Sequence, residues 1–229
     1  MPRVVKHPDD RRNELLDCAQ ALFFERGYER TTINDVIARA GISKGGFYHH
    51  FTAKEDLLAA LATRLALSSV ERLTDLTEAP DLAPLAQLNG FLARARQIKL
   101  EDAPRLRATF DVLFKPENIV LYHRINATVI PLVVPVLTRI IAAGKAEGVF
   151  KVPDAGIAAE IVLHLSATSH DAMARAISAS GTTDAPAAID ALDQQLRFQG
   201  IAIDRILGLP DGSVTYVEDG FVEAIMTAR

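Results

Sequence analysis

Between Thr32 and Glu55 the sequence starts and stops helices so often that only short, tightly turned elements fit. Thr32 with Asp35 three residues on is a variant of the capping box, where hydroxyl and carboxylate each answer the other residue's amide. Ile33, Val36, Ile37 and Ala40 then repeat at helical spacing, and Gly41 ends the run. Ser43, after only Gly41 and Ile42, is another good N-cap and opens a segment with Phe47 and Phe51 four apart. Thr52-Ala53-Lys54-Glu55 is a full capping box, from which Leu57, Leu58, Leu61 and Leu65 carry a longer helix over 53–76. Upstream, a helix starting near Asp9 or Asp10 puts Leu15, Ala19, Leu22 and Phe23 on one face and stops at Gly27.

About half of the 229 residues are hydrophobic, enough for one small and one medium domain. Aromatics are 6% and tryptophan is absent, while alanine, leucine and charged residues dominate, a balance that favours helix. The expectation is an all-α fold, with a three-helix head over 1–56, Lys54 opening the connecting helix, and a larger helical domain over 57–229. In that domain Pro84 precedes a helix with Leu85, Leu88, Leu92 and Ala95, and Pro104 opens another that carries Phe110 and Leu113. A long helix runs from about Ile119 to Glu147, bent at Pro131 and Pro135, and Asp154 caps one extending through Ile161, Leu165 and Met173.

The polar stretch Met1 to Asp10 has no secretory apolar core and the lone Cys18 excludes an internal disulfide, so a reducing cytoplasm is expected. Val129 to Ala143, broken by Pro131, Pro135 and Arg139, reads as too short to cross a bilayer of about 30 Å, so no membrane partner is expected. Nine basic and nine acidic side chains balance over residues 1–56, so the net charge of −4 lies in the remainder. A neutral head that binds DNA relies on local placement of cations, helix N-termini and hydroxyls.

Two short helices joined at Gly41 and braced by a first helix have the layout of a helix-turn-helix whose second member enters the major groove of double-stranded DNA. Ser43 and Lys44 sit where free amides and a positive dipole end favour phosphate. Gly45 and Gly46 remove bulk at a cost of roughly 1 kcal/mol each, which suggests a contact surface. Tyr48 and His49 present polar tips opposite Phe47 and Phe51, and Lys54 lies in the first turn of the next helix. The competing reading is a capped three-helix bundle with solvated polar residues, since this geometry also occurs without DNA.

Residues Leu22-Phe23-Phe24-Glu25-Arg26-Gly27-Tyr28, Thr31-Thr32-Ile33, Val36 through Gly45, Phe47-Tyr48-His49-His50-Phe51 and Lys54-Glu55-Asp56-Leu57-Leu58 closely resemble the DNA-binding domain of the TetR family of bacterial regulators. The resemblance covers about a quarter of the chain. It implies a homodimer that represses from a palindromic operator and is released by a small molecule held in the C-terminal domain. It also implies DNA contacts at Thr32, Ser43, Lys44, Tyr48, His49 and Lys54. Where many relatives carry threonine or serine, this chain has Gly46, which removes one possible contact.

For the dimer interface, Ile189, Leu192, Leu196, Gln199, Ile203 and Ile206 repeat at the period of a helix-packing seam, joined by Ile161 and Leu165 from the preceding helix. The same stripe is equally consistent with packing inside one subunit. For a mostly apolar effector, Phe91, Phe110, Leu113, Phe114, Tyr122, His123, Ile130 and His164 come from helices that would surround a cavity, with ordinary core packing as the alternative. No cofactor, metal site or catalytic residue is expected. GxSxG, P-loop and HExxH are absent, Cys18 reads as a buried structural thiol, and His49-His50 and His164 with His170 lack accompanying ligands. An effector-independent architectural DNA-binding role is the remaining alternative.

Overall fold

The computed structural model describes residues 8–74, 82–115 and 118–227, and the regular elements among them are all helical. The first, α1 (Pro8–Arg26), buries Leu15, Leu16, Ala19, Leu22 and Phe23 and ends at Gly27. At Thr32 the backbone is extended and the capping box closes, the Asp35 amide donating to Thr32 Oγ1 at 3.2 Å and the Thr32 amide to Asp35 Oδ2 at 2.8 Å. Two amides that a helix start leaves unpaired are thereby satisfied. The resulting α2 (Ile33–Ala40) stops at Gly41, whose φ of 62° is the left-handed conformation that a side chain would strain. Ser43 caps α3 (Lys44–Tyr48) by accepting from the Gly46 amide at 3.1 Å.

The start of α4 (Lys54–Thr74) departs from the expected box. Thr52 engages Asp56, through both its amide and its hydroxyl, because the Glu55 carboxylate instead accepts from the Tyr28 hydroxyl at 3.5 Å. Leu57, Leu58 and Leu61 of α4 complete the apolar core of the head with Val36, Phe47 and Phe51. Further along the same helix Leu73 joins the main core of the body. As a packed unit the head therefore reaches past residue 56 to Leu61.

The body consists of α5 (Pro84–Leu113), α6 (Ile119–Ala146), α7 (Ala155–Leu165), a 3₁₀ turn at Ser166–Ser169, α8 (His170–Ala179), α9 (Ala185–Leu207) and a short α10 (Phe221–Thr227). No break occurs at Pro104. The buried Ile98 and Ala103 before it and Leu113 after it hold α5 as one helix, and this packing outweighs the backbone bond that proline cannot make. By length and composition α6 is in fact sufficient to cross a bilayer, since the helix runs well beyond the apolar stretch from Val129 to Ala143. In the fold its buried face, with Val133, Val136, Leu137, Ile140 and Ile141, packs into the main core. The expected single helix from Asp154 to Met173 is split. Gln199 reaches across from α9 and donates to Leu165 O at 2.9 Å, Thr168 Oγ1 at 2.8 Å and Ser169 Oγ at 2.7 Å, pinning the 3₁₀ turn.

The chain after α9 is tied down by buried polar groups. Asp204, fully buried, accepts from the amides of Gly212 at 2.6 Å and Val214 at 2.8 Å, and Asn89 of α5 bonds Ser213 and Thr215. At the end of α6, Val149 and Phe150 donate to Gly144 O at 2.8 and 3.0 Å, and the Phe150 ring occupies the space that an added Cβ on Gly144 would need. With Phe150 itself buried, the ring has nowhere to retreat. Gly144→Ala is expected to lower the stability of the folded chain by about 1–3 kcal/mol in urea unfolding, whereas Gly90→Ala, which meets nothing within 4 Å, does not.

Candidate nucleic-acid interface

α3 is held from behind by an aromatic anchor. Phe47 is fully buried and Phe51 nearly so, their ring centroids 5.9 Å apart, and Arg12 lies 5.2 Å over the Phe51 ring. The opposite edge is open. Ser43, Lys44, Gly45, Tyr48 and His49 are exposed, and Gly46 is half-buried. Lys44 Nζ stands 6.0 Å from the Tyr48 ring, and Tyr48 packs edge-on against Phe47 at 5.4 Å, so the anchored ring orients the exposed one. A Cβ on Gly45 or Gly46 would meet nothing closer than 3.4 Å, so packing within the subunit does not require either glycine. The Ser43 oxygen already accepts from Gly46, which leaves its hydroxyl proton to donate outward. Thr32 is exposed, but its hydroxyl donates to Asp35 at 2.6 Å.

The remaining expected contact, Lys54, is placed differently. Its ammonium donates to Tyr28 O at 2.9 Å and Thr31 O at 3.0 Å and sits 3.9 Å from the centroid of the Tyr28 ring. Two of its three donors are thus spent on the turn between α1 and α2. Burial and the neighbouring Glu55 carboxylate push the Tyr28 hydroxyl well above the usual phenol range, so it stays protonated and keeps donating. Lys54 fastens the first helix of the head to α4.

The residues expected around an effector do not converge on one cavity. Phe91 belongs to the main core, Leu113 packs with Ala62 and Ile125, and Ile130 is half-buried. His123 and His164 lie on the surface, on the faces of α6 and α7 turned away from the cores, and the Phe110 side chain lies outside the described residues. Phe114 and Tyr122 do meet, 5.5 Å apart, around a residue weighed in the sequence only beside His164 as a metal ligand. That residue is His170, buried at the start of α8, its ring 5.3 Å from Phe114 and 4.7 Å from Tyr122.

The seam expected at the dimer interface faces inward. Leu192, Gln199 and Ile203 are buried within the subunit, Leu165 and Ile206 pack against the main core, and Ile189 and Leu196 against a smaller one under α8 and α10. Leu165, Ile189, Leu196 and Ile206 are half-buried, so packing within the subunit covers that stripe only in part. Of the expected residues Ile161 is exposed, together with Ile157 on the same helix and Phe198, 65% exposed, on α9.

The family model for bacterial regulatory proteins of the tetR family matches residues 15–61. Over those residues the head is similar to the DNA-binding domain of that family. Among similar curated proteins is the HTH-type transcriptional repressor KstR2 of Mycobacterium tuberculosis, 37% identical over 100 residues, which are 43% of this chain and 50% of that protein. KstR2 of Rhodococcus jostii is 52% identical over 48 residues, 21% of this chain and 24% of that one. The chain thus spans about half the length, or less, of these relatives. Similar solved structures include a TetR-family regulator from Pectobacterium atrosepticum, with TM-score 0.61 and 24% identity over 91% of this chain and 100% of that one. Another is SmeT of Stenotrophomonas maltophilia, with TM-score 0.53 and 25% identity over 90% and 96%. The likeness in fold extends over the helical body. Within the head, replacing Lys54 with methionine removes two carbonyl bonds and a ring contact. Lys54→Met is expected to cost about 2 kcal/mol in chemical unfolding, read as a shifted midpoint at unchanged slope.

Proposed function

We propose that the protein is a transcriptional repressor that binds a palindromic operator as a homodimer through the exposed edge of α3. The observation that carries this reading is the division of α3 itself, with Phe47 sealed in the core and Lys44, Tyr48 and His49 presented outward beside two glycines that the fold does not need. Each glycine costs a short helix roughly 1 kcal/mol, which close approach to a groove wall offsets. Ser43 and Lys44 would hold phosphate, and Tyr48 and His49 would lie nearest the bases. Thr32 is a backbone contact at most, and Lys54 contributes one donor and its charge. The domain whose match ends at residue 61 is the reading head, and the rest receives the effector and the second subunit. Such a protein works in the cytoplasm.

Exposed apolar side chains on the adjacent helices α7 and α9 support a dimer face built on Ile157, Ile161 and Phe198. The buried seam of α9 stiffens that face from behind. For the effector, the ring cluster of Phe114, Tyr122 and His170 supports a small, mostly apolar ligand. Burial raises the Tyr122 hydroxyl above the phenol range and pushes that of the nearby Tyr216 up to about 12, so both stay neutral donors. The Asn126 amide donates toward the Tyr122 oxygen and partly offsets the rise there. SmeT is described bound to triclosan and RolR, a second structural neighbour, bound to resorcinol, both phenols.

Selection from a random duplex pool is expected to enrich one palindrome whose half-site centres lie about 34–36 Å apart or a multiple of that. Lys44→Ala and Tyr48→Ala are each expected to weaken binding to it about tenfold, and Lys44→Ala to lower the salt slope by about one. Unchanged affinity in the double variant at every salt concentration removes the reading. Separately, Ile161→Glu with Phe198→Glu is expected to turn dimers into folded monomers in sedimentation, since both positions are exposed in the subunit. An intact dimer would place the interface elsewhere.

A further inference from the structure

A cleft apart from the ring cluster of α5, α6 and α8 lies at the junction of head and body. It encloses about 650 Å³, within the range of small-molecule sites. Its walls come from α1, from the turn between α3 and α4, from the length of α4, and from Arg124 on α6. From Asp56 to Glu71 the floor runs about 22 Å along α4, away from α3 and toward the body. That course separates it from the groove-facing edge.

The charge in the cleft is uneven. Arg12, Arg64 and Arg124 line it against Asp56 and Glu71. Asp56 is occupied with the amide and hydroxyl of Thr52, and Arg64 is held by Asp17 at 2.8 Å and Gln20 at 3.1 Å. Arg12 rests on the Phe51 ring, and Arg124 acts on the Asp56 carboxylate only through space, helping to hold it below the usual carboxylate range, while the hydrogen bonds of Asp56 go to Thr52. Between these cations the wall is apolar, formed by Ala59, Ala60 and Leu67, with the Thr63 and Ser68 hydroxyls beside it. Guanidinium groups pair with carboxylates through charge-assisted bonds, and an apolar wall adds affinity only for a ligand with an apolar body.

We propose that this cleft binds a small organic carboxylate, with Arg12 and Arg124 as its counter-charges and its apolar body against Ala59, Ala60 and Leu67. An occupant there touches the head through α1 and the body through α6, so it ties the two together at a place distinct from the effector site.

Benzoate serves as the probe, titrated calorimetrically into the full chain without DNA, so the result stands apart from the operator reading. Neutral benzamide matches its shape, and inorganic phosphate tests charge without the apolar body. Benzoate is expected to bind with Kd on the order of 1 mM or tighter and benzamide at least tenfold more weakly. Phosphate is expected to bind at least tenfold more weakly too. Arg12→Gln and Arg124→Gln, both at exposed positions and checked for unchanged helicity by circular dichroism, are each expected to weaken benzoate about tenfold. The proposal is overturned if benzoate binds no better than benzamide or phosphate, or if both variants bind it as the parent does.

Discussion

One helix belongs to both cores of this molecule. Leu57, Leu58 and Leu61 of α4 are part of the head's interior, Ala62 packs with Leu113 and Ile125 of the body, and Leu73 reaches the main core. A helix buried along its length at successive levels cannot rotate without exposing apolar surface at one of them, at about 25 cal/mol per Å². Head and body are therefore coupled through a rod of 21 residues, about 31 Å long, rather than through a flexible linker. The head has little means of settling its own angle. Its helices α2 and α3 are short and depend on α1 and α4 for burial, so their orientation follows that of α4.

The head was legible because its information is local. Capping residues act on amides two or three positions away, and a left-handed glycine acts on its own turn, so Thr32, Gly41 and Ser43 declare the helix ends without reference to the rest of the fold. Where the signal depended on distant neighbours it was ambiguous. Glu55 completes a capping motif on paper, yet Tyr28, far back in the chain, takes its carboxylate and Asp56 serves Thr52 instead. Lys54 is expected at the DNA from its place in the first turn of α4 and from the family resemblance, neither of which says what else lies within its reach. Carbonyls of the preceding turn, brought close by tertiary packing, claimed it.

The body shows the same division more sharply. Periodicity on α9 marks a packing surface but carries nothing about which chain it packs against. Leu192 and Ile203 turn toward their own subunit, and the apolar residue left outside, Phe198, breaks the stripe's period by one position. A single large aromatic exposed beside a completed core was the available sign of an outward face. His170 had a comparable sign, a histidine opening an alanine-rich helix, but its pairing with Phe114 and Tyr122 depends on the fold of α5 and α6 over α8.

The junction of α6 with the head gives this coupling a definite route. Leu121 of α6 packs against the head cluster, and Lys115, just before α6, pairs with Glu29 in the turn after α1 at 2.6 Å. The ion pair is exposed and worth little by itself, so the apolar contact carries the energy. Four residues along α6 from Leu121 lies Ile125, which packs with Ala62 of α4, and between them Tyr122 touches His170 of α8. A shift of α6 driven from the His170 side therefore acts on both the head's interior and the rod that orients it. In the dimer proposed above, whose two heads would have to meet half-sites at a fixed separation, a small tilt at that junction, multiplied along α4, would lose the match.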